Sequence, residues 1–213
     1  MTFNHPLIKK LEEYQLILGS KSQRRKEILI NNFGITNFVV VESQFDENLH
    51  KNRTPLEYVQ LTSKYKAINI LDSINKDGPP TLILTCDTII ACNDKIFEKP
   101  ITKLKQREYF NYFKQHRKIE VISALTLIKI DNRQVKYYQD YDITKLQFRD
   151  DDDDDDANLL INSYIESEEG LQVAGGFKYQ GKGCLLFKSM VGDYLNVVGL
   201  PSKTFDFLTR AIL

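Results

Sequence analysis

Short apolar runs alternate along this chain with longer segments in which apolar residues recur at helical spacing. The runs at residues 14–18, 38–41 and 81–85 predict strands, and the β-branched run at 38–41 predicts a buried one. Residues 23–32 predict a helix that ends before Gly34, a residue suited to a left-handed cap. Strands that alternate with helices are typical of α/β proteins, so we expect a mixed, twisted sheet with helices packed on it.

The clearest helix start lies at Thr54-Pro55-Leu56-Glu57, which has the N-cap, the first-turn proline and the third-position glutamate of a capping box. The helix that follows has a predicted core face in which apolar residues recur at helical spacing, namely Tyr58, Leu61, Tyr65, Ile68 and Leu71. Lys64 and Lys66 lie off this stripe. Surface lysines are common on helices, so this pattern alone does not mark Lys66 as functional.

The middle of the chain predicts a hairpin and a long central strand. Apolar residues at 89–91 and 95–97 flank Asn93-Asp94, which is typical of a hairpin turn. A helix over residues 104–113 has an aromatic face that we expect in the core. Residues 119–130 are nearly continuous in apolar and small residues and predict a buried strand, which pairs with a partly exposed strand over 135–148.

The C-terminal part predicts an acidic insert and two helices. Residues 150–156 are all aspartate, and because such a run repels itself we expect a solvated low-complexity insert without a core. The next helix, over residues 157–165, has Leu159, Leu160 and Tyr164 as its predicted inward positions. A closing helix begins near Pro201-Ser202, with the predicted inward positions Phe205, Leu208 and Ile212.

Composition narrows the class of protein. A chain of 213 residues with 29 basic and 29 acidic side chains suits one α/β domain over residues 1–213, and its net charge predicts no attraction to nucleic acid or to an anionic membrane. Cys86, Cys92 and Cys184 form no zinc-type spacing, and their odd number argues against a disulfide framework. With no apolar run long enough to span a membrane, we expect a soluble cytoplasmic protein.

Candidate chemistry begins at the first predicted strand-turn-helix. The turn Gly19-Ser20-Lys21-Ser22 precedes Arg24 and Arg25, which fall in the first helical turn. Backbone N–H groups and hydroxyls at such a turn favour an anion, and two cations there suggest a bound phosphate. An ordinary turn with solvated arginines explains the same residues.

Three later positions add to this set. Asp87, followed by Thr88, comes after the apolar run at 81–85, and ligands of open α/β sheets bind at the carboxyl ends of strands. An aspartate that merely starts a turn is the alternative. Lys99 follows the predicted hairpin within reach of Asp87. The glycine-rich residues 174–183 form either a nucleotide-pocket wall around Gln180 or a flexible surface loop.

From about Tyr14 to the C-terminus, the order of these blocks resembles the Maf-like nucleotide pyrophosphatases, a family of house-cleaning nucleoside triphosphate hydrolases. The first block is similar to the family's Ser-x-Ser-Pro-Arg-Arg, and Asp46-Glu47 to its acidic pair. Further similarities are the Lys-Ala that ends residues 61–67, Cys86-Asp87-Thr88-Ile89-Ile90, Glu98-Lys99-Pro100, the loop 174–183 and the Asn-Val-Val-Gly-Leu-Pro of 196–201. Blocks in a fixed order are far more specific than any one of them alone.

The resemblance implies a fold shared with the inosine-triphosphate pyrophosphatases, in which two lobes flank a nucleotide cleft. It implies hydrolysis of a nucleoside triphosphate to the monophosphate and pyrophosphate with Mg²⁺ or Mn²⁺, and the double arginine resembles the branch that acts on dTTP and UTP. A nucleoside triphosphate is the expected partner, and association into a homodimer stays open. A nucleotide-binding sensor or interaction protein without turnover is the alternative function.

The site roles that the resemblance implies follow the residue types. Arg24, Arg25, Lys66 and Lys99 would neutralise the triphosphate, and Ser20 would hold a terminal phosphate. Glu47 and Asp87 would hold the metal, and Asp87 would also orient or deprotonate the attacking water. Lys99 counts among the catalytic residues, while Thr88 and Gln180 would contact the substrate. Gln180 and the glycine-rich loop would either read the base or complete the metal shell.

The sequence departs from the family pattern at several positions. Gln23 replaces the proline of the first block, Cys86 a small residue, Val173 a lysine and Ile119 a histidine. The aspartates of residues 150–156 have no counterpart in the family pattern. None of these departures removes a residue assigned to phosphate, metal or water.

Overall fold

The computed structural model describes residues 4–46, 49, 53–149 and 155–213, of which residues 155–157 are described by their backbone alone. Its helices are α1 (Pro6–Leu11), α2 (Gln23–Glu27), α3 (Pro55–Ser73), α4 (Lys103–His116), α5 (Asp155–Glu166), α6 (Tyr194–Val198) and α7 (Thr204–Ile212). Its strands are β1 (Gln15–Leu18), β2 (Val39–Val40), β3 (Thr81–Cys92), β4 (Lys95–Phe97), β5 (Lys118–Asp131), β6 (Gln134–Phe148) and β7 (Phe187–Val191). Along the part of the chain that is described, no helix is long and apolar enough to cross a membrane.

The described strands form one mixed sheet in the order β2-β1-β3-β5-β6-β7, with β4 paired to β3. β1 runs parallel to both β2 and β3, whereas β3 with β4 and β6 with β7 are antiparallel. The predicted α/β class with a mixed sheet is therefore confirmed.

The chain divides into two compact units. The first unit comprises residues 1–87, 123–142 and 199–213, and the second comprises residues 88–122 and 143–198. The long strands β3, β5 and β6 contribute residues to both.

Each unit has its own hydrophobic core, which is aliphatic in the first unit and rich in aromatic residues in the second. In the first unit, α3 buries aliphatic side chains against strands of the sheet, in a cluster of Ile17, Ala67, Ile70, Leu71, Ile83, Ile128 and Ile130. In the second unit, the aromatic face of α4 packs around Phe97, with its ring centroid 4.7 Å from that of Phe113. The prediction that this aromatic face belongs to the core is confirmed.

Two-residue turns set the lengths of the central strands. Asn93 and Asp94 have φ values of 49° and 60°, and Asn132 and Arg133 have values of 48° and 65°. Positive φ at both turn residues is the geometry that closes tight hairpins. The turn at Asn93-Asp94 was predicted, and β3 continues as far as this turn because nothing before Asn93 breaks the strand.

Some predicted faces were wrong. The run at 38–41 is not buried, because β2 has only two residues at the edge of the sheet and Val39 and Val40 are 43% and 40% exposed. In α5, Leu159 is exposed and Leu160 half-buried, and the buried positions are Ile161, Tyr164 and Ile165. In α7, Leu208 and Ile212 are buried as predicted, but Phe205 is half-buried.

Candidate active site

Asp87 lies within β3, not at its carboxyl end as predicted. The strand continues through Thr88 to Cys92 because these residues are β-branched or apolar. However, the neighbouring β1 ends at Leu18, which pairs with Leu84, and the Gly19 N–H donates to the Leu84 carbonyl at 2.8 Å. Asp87 is thus close to the carboxyl end of a parallel neighbour, which is where open α/β sheets bind ligands.

Lys66 and Asp87 form an ion pair that is nearly buried. The Lys66 Nζ lies 2.7 Å from the Asp87 Oδ1, and the two side chains are only 11% and 10% exposed. Removing one partner of such a pair would leave an uncompensated charge away from water, so each residue depends strongly on the other. The pattern of apolar residues gave no sign of this role for Lys66.

Only part of the predicted core face of α3 is buried, and Lys66 was placed off the buried face for this reason. Tyr58 and Leu71 are buried as predicted, but Tyr65 is 39% exposed. The observed buried face combines apolar residues with the two hydroxyl residues Thr62 and Ser63, and its members are Pro55, Tyr58, Val59, Thr62, Ser63, Ala67, Ile70 and Leu71. Lys66 follows Ser63 by one helical turn and therefore lies on this face.

The turn after β1 is held by its own hydroxyls. The Ser20 Oγ is buried and accepts hydrogen bonds from the Ser22 N–H at 3.2 Å and from the Arg25 Nη1 at 3.0 Å. Ser22 caps α2 by accepting a bond from the Arg25 N–H. The predicted strand-turn-helix is present, but α2 has only five residues and passes into a single π-helical turn at Ile28–Asn32.

Gly199 connects this turn to β3. The Arg25 Nε donates to the Gly199 carbonyl at 2.8 Å, and the Cys86 Sγ lies 3.5 Å from the same oxygen. Arg25 is therefore close to the residue that precedes Asp87. The sequence marked 196–201 only as a motif and gave Gly199 no role. The signal available in the sequence was the glycine itself, because glycine readily adopts a positive φ, and the structure has a φ of 127° here.

The half-buried guanidinium of Arg24 lies beside the charge of Arg25. Within the described ranges it forms no ion pair, and burial together with the charge of Arg25 lowers the pKa of its guanidinium. Guanidinium groups stay protonated in proteins, so the two adjacent arginines present two positive charges. The arrangement favours an anionic ligand beside α2.

Three predicted site residues belong to the second unit. Lys99 is exposed two residues after the end of β4, and Thr88 is half-buried in β3. The Gln180 Nε2 is buried and has no hydrogen-bond partner among the described residues. Buried donors are rarely left unsatisfied, so this amide is available to a ligand.

The glycine-rich loop of the second unit is ordered by specific contacts. Gly175 and Gly176 have φ values of 71° and 78°. The Gly175 N–H donates to the Glu98 carbonyl at 3.1 Å, and the buried Gln106 Nε2 donates to the Gly176 carbonyl at 2.6 Å. These bonds tie the loop to the segment that contains Lys99, so it is a packed turn rather than a loose surface loop.

Of the two predicted metal ligands, Asp87 lies within the described residues and Glu47 does not. Glu47 and most of the acidic insert lie outside the described residues, and Asp46 is exposed. Within those ranges, no group of three or more His, Cys, Asp or Glu side chains is arranged so that it could hold a metal ion. Mg²⁺ commonly takes only one or two carboxylates and completes its shell with water and substrate phosphates. The hard carboxylate of Asp87, which has one oxygen bonded to Lys66, fits that kind of ion.

A family model and several known proteins match most of this chain, and these matches agree with one another. The family model described as Maf-like protein matches residues 15–211. The dTTP/UTP pyrophosphatase of Saccharomyces cerevisiae is 38% identical over 215 residues, which cover 92% of this chain and 90% of that protein. The dTTP/UTP pyrophosphatase of Thermoanaerobacter sp. is 34% identical over 92% of this chain and 96% of that protein. That of Schizosaccharomyces pombe is 30% identical over 99% and 89%.

Proposed function

Because the chain belongs to the Maf-like protein family, we propose that it hydrolyses nucleoside triphosphates to the monophosphate and pyrophosphate, with dTTP and UTP as preferred substrates. Its relatives support this choice of substrate, since those from two yeasts and a bacterium are dTTP/UTP pyrophosphatases. The observation that carries the proposal is the buried ion pair of Lys66 and Asp87. A carboxylate held in this way, close to the turn of Ser20 and Arg25, can act on a water molecule beside a bound phosphate.

The proposed roles follow from the charges and the hydrogen-bonding groups. Arg24 and Arg25 bind the phosphates, to which guanidinium groups donate bidentately, and the Ser20 hydroxyl contacts a phosphate oxygen. Lys66 and Lys99 add point charges, which phosphoryl transfer needs as negative charge builds on the leaving group. Thr88 and Gln180 contact the substrate.

Asp87 orients the attacking water and accepts its proton. The water oxygen forms a new bond to phosphorus, the α–β phosphoanhydride bond breaks, and pyrophosphate leaves with the bonding electrons. Most of the rate enhancement in such reactions comes from positioning and charge neutralisation, which agrees with a site of cations and carboxylates.

Glu47 and Asp87 would hold a divalent cation, Mg²⁺ or Mn²⁺, together with the triphosphate. When bound, the ion would neutralise phosphate charge and orient the reacting groups.

The three cysteines are free thiols in the structure, so we place the reaction in a reducing compartment, the cytoplasm.

The test is pyrophosphate release from a panel of nucleoside triphosphates with Mg²⁺ or Mn²⁺. We expect release from dTTP and UTP in preference to the purine triphosphates, and Asp87→Asn should lower kcat by about 10² to 10⁴ because the water loses its base. The matched control is Asp72→Asn, which changes an exposed carboxylate near the end of α3 and should leave kcat unchanged.

Nucleotide binding, measured by calorimetry, separates the outcomes. Asp87→Asn should still bind dTTP while it no longer turns it over. If the unaltered protein binds dTTP and releases no pyrophosphate from any triphosphate, it is a nucleotide-binding sensor and the enzymatic proposal fails.

A further inference from the structure

Helix α3 and strand β3 are joined by a reciprocal contact between Ser63 and Thr85. The Thr85 Oγ1 donates to the Ser63 carbonyl at 2.8 Å, and the Ser63 Oγ lies 3.2 Å from the Thr85 Oγ1 and 3.4 Å from the Thr85 carbonyl. Both residues are completely buried. Each residue therefore uses both its backbone and its hydroxyl in holding the helix on the strand.

The contact continues into the neighbouring strands of the first unit. The Ser63 Oγ lies 3.1 Å from the Thr126 Oγ1 in β5, which accepts a bond from the Gln139 Nε2 in β6 at 3.3 Å. A buried hydroxyl is costly unless it is hydrogen-bonded, and replacing a bonded pair by apolar groups is often nearly neutral for stability. Stability alone therefore does not explain why residues with hydroxyl groups occupy these buried positions.

Their position supplies the reason. Lys66 lies one helical turn after Ser63, and Asp87 lies two residues after Thr85, so the ion pair follows the hydroxyl contact on the same face of both elements. Apolar packing is non-directional and sets the axial position of a helix only loosely, whereas hydrogen bonds specify it. We propose that Ser63 and Thr85 are positioning residues that set the register of α3 on β3 and so hold Lys66 against Asp87.

Thr85 allows its hydroxyl to be tested apart from its packing. Its Cγ2 methyl fills the space beside Gly19, where an added Cβ would come within 2.6 Å of it. Its hydroxyl faces Ser63 on α3. Thr85→Val keeps the shape and removes the hydroxyl, and Thr85→Ser keeps the hydroxyl and removes the methyl.

The first experiment measures kcat and KM for dTTP, and it rests on the proposed function. Thr85→Val and Ser63→Ala should each lower kcat by roughly 10- to 100-fold with KM nearly unchanged, because misplaced reacting groups are costly. The double variant should lose little more than either single variant, because both remove the same contact. Thr85→Ser should retain most of the kcat that Thr85→Val loses.

The control is Thr62→Val, at the adjacent buried position of the same helix. Its hydroxyl donates to the Tyr58 carbonyl within α3 at 2.9 Å and joins no other element of the described chain. This variant loses a buried hydroxyl of the same kind and should keep the unaltered kcat. Equal kcat in Thr85→Val and Thr62→Val, or equal loss in Thr85→Val and Thr85→Ser, would overturn the proposal.

The second experiment does not depend on activity. Competitive acylation of lysines, read by mass spectrometry, compares Lys66 with Lys64 on the same helix. Thr85→Val and Ser63→Ala should raise the relative labelling of Lys66 by roughly threefold or more, since a loosened pair opens more often. Unchanged labelling of Lys66 in both variants refutes the positioning role of Ser63 and Thr85. Raised labelling in a protein that releases no pyrophosphate supports that role and refutes only the proposed function.

Discussion

At the scale of single residues, one side chain can join segments that are far apart along the chain. Arg25 is the clearest case, because its guanidinium donates both to the Ser20 hydroxyl and to the Gly199 carbonyl. One planar group thereby joins the turn after β1 to the segment that follows the second unit along the chain. A lysine would bring the same charge but could not make both bonds with this geometry.

We therefore expect Arg25→Lys to raise the KM for dTTP by roughly tenfold, which corresponds to about 1.4 kcal/mol of binding free energy. Steady-state kinetics of pyrophosphate release would measure it. The matched control is Arg133→Lys, because Arg133 forms an exposed ion pair with Asp77 and such pairs contribute little. If both variants have the KM of the unaltered protein, the two bonds of Arg25 do not matter for the substrate.

At the scale of elements, polar contacts fix what apolar packing leaves free. Helix α7 is fastened to β6 by Asp140, whose Oδ1 lies 2.9 Å from the Lys203 Nζ and whose Oδ2 lies 2.7 Å from the Arg210 Nη2. Burial by itself would raise the pKa of Asp140, but hydrogen bonds from Lys203, the Tyr141 N–H and Arg210 outweigh it and lower the pKa below its usual value. The charged form of Asp140 is thus favoured in the folded protein.

The pH dependence of stability follows from this shift. A carboxyl group with a lowered pKa in the folded state stabilises the protein above its unfolded-state pKa of about 3.9, and this stabilisation is lost as the pH falls through the folded-state value. Asp140→Asn should therefore reduce the free energy of unfolding by about 1–2 kcal/mol near pH 7 and by much less near pH 3. Urea denaturation across that range would measure the difference. A loss that is independent of pH would show that the charge of Asp140 is not responsible, and Asp72→Asn is the control.

At the scale of the whole molecule, the balance of charges leaves substrate attraction to local groups. The chain has 29 basic and 29 acidic residues, so its net charge neither attracts nor repels a triphosphate. Electrostatic attraction of the substrate therefore depends on the local cations around Arg24. A ligand that binds only the folded protein stabilises it by an amount that grows with the logarithm of the ligand concentration divided by its Kd. Binding through the phosphates should therefore appear as a gain in thermal stability.

An α,β-methylene analogue of dTTP, which cannot be cleaved, should raise the Tm by roughly 5–10 °C at 100 times its Kd in the presence of Mg²⁺. Differential scanning calorimetry would measure the shift. Thymidine carries the same base without phosphates and should give almost no shift. An equal shift with thymidine would mean that the base, and not the triphosphate, provides the binding energy.

Local chemistry in the sequence was sufficient for features that form within a few residues. The capping box of Thr54 and Glu57 is present with both of its hydrogen bonds, and the turn at Asn93-Asp94 closes the predicted hairpin. The family membership also followed from the sequence, because the order of its motifs is itself a property of the sequence. The expected roles of the site residues stay predictions, including that of Glu47, which lies outside the described ranges.

Contacts between distant segments were decided only by the tertiary structure. Periodicity gave α3 an apolar stripe that includes Tyr65, but the strands beneath the helix select the face with Ser63 and Lys66, because the charge and hydroxyl of that face find partners there. The Gly199 carbonyl lies far along the chain from Arg25 and becomes its acceptor only in the folded protein. A sequence pattern reports which side chains prefer burial, whereas a buried polar residue becomes favourable only when the fold supplies its partner.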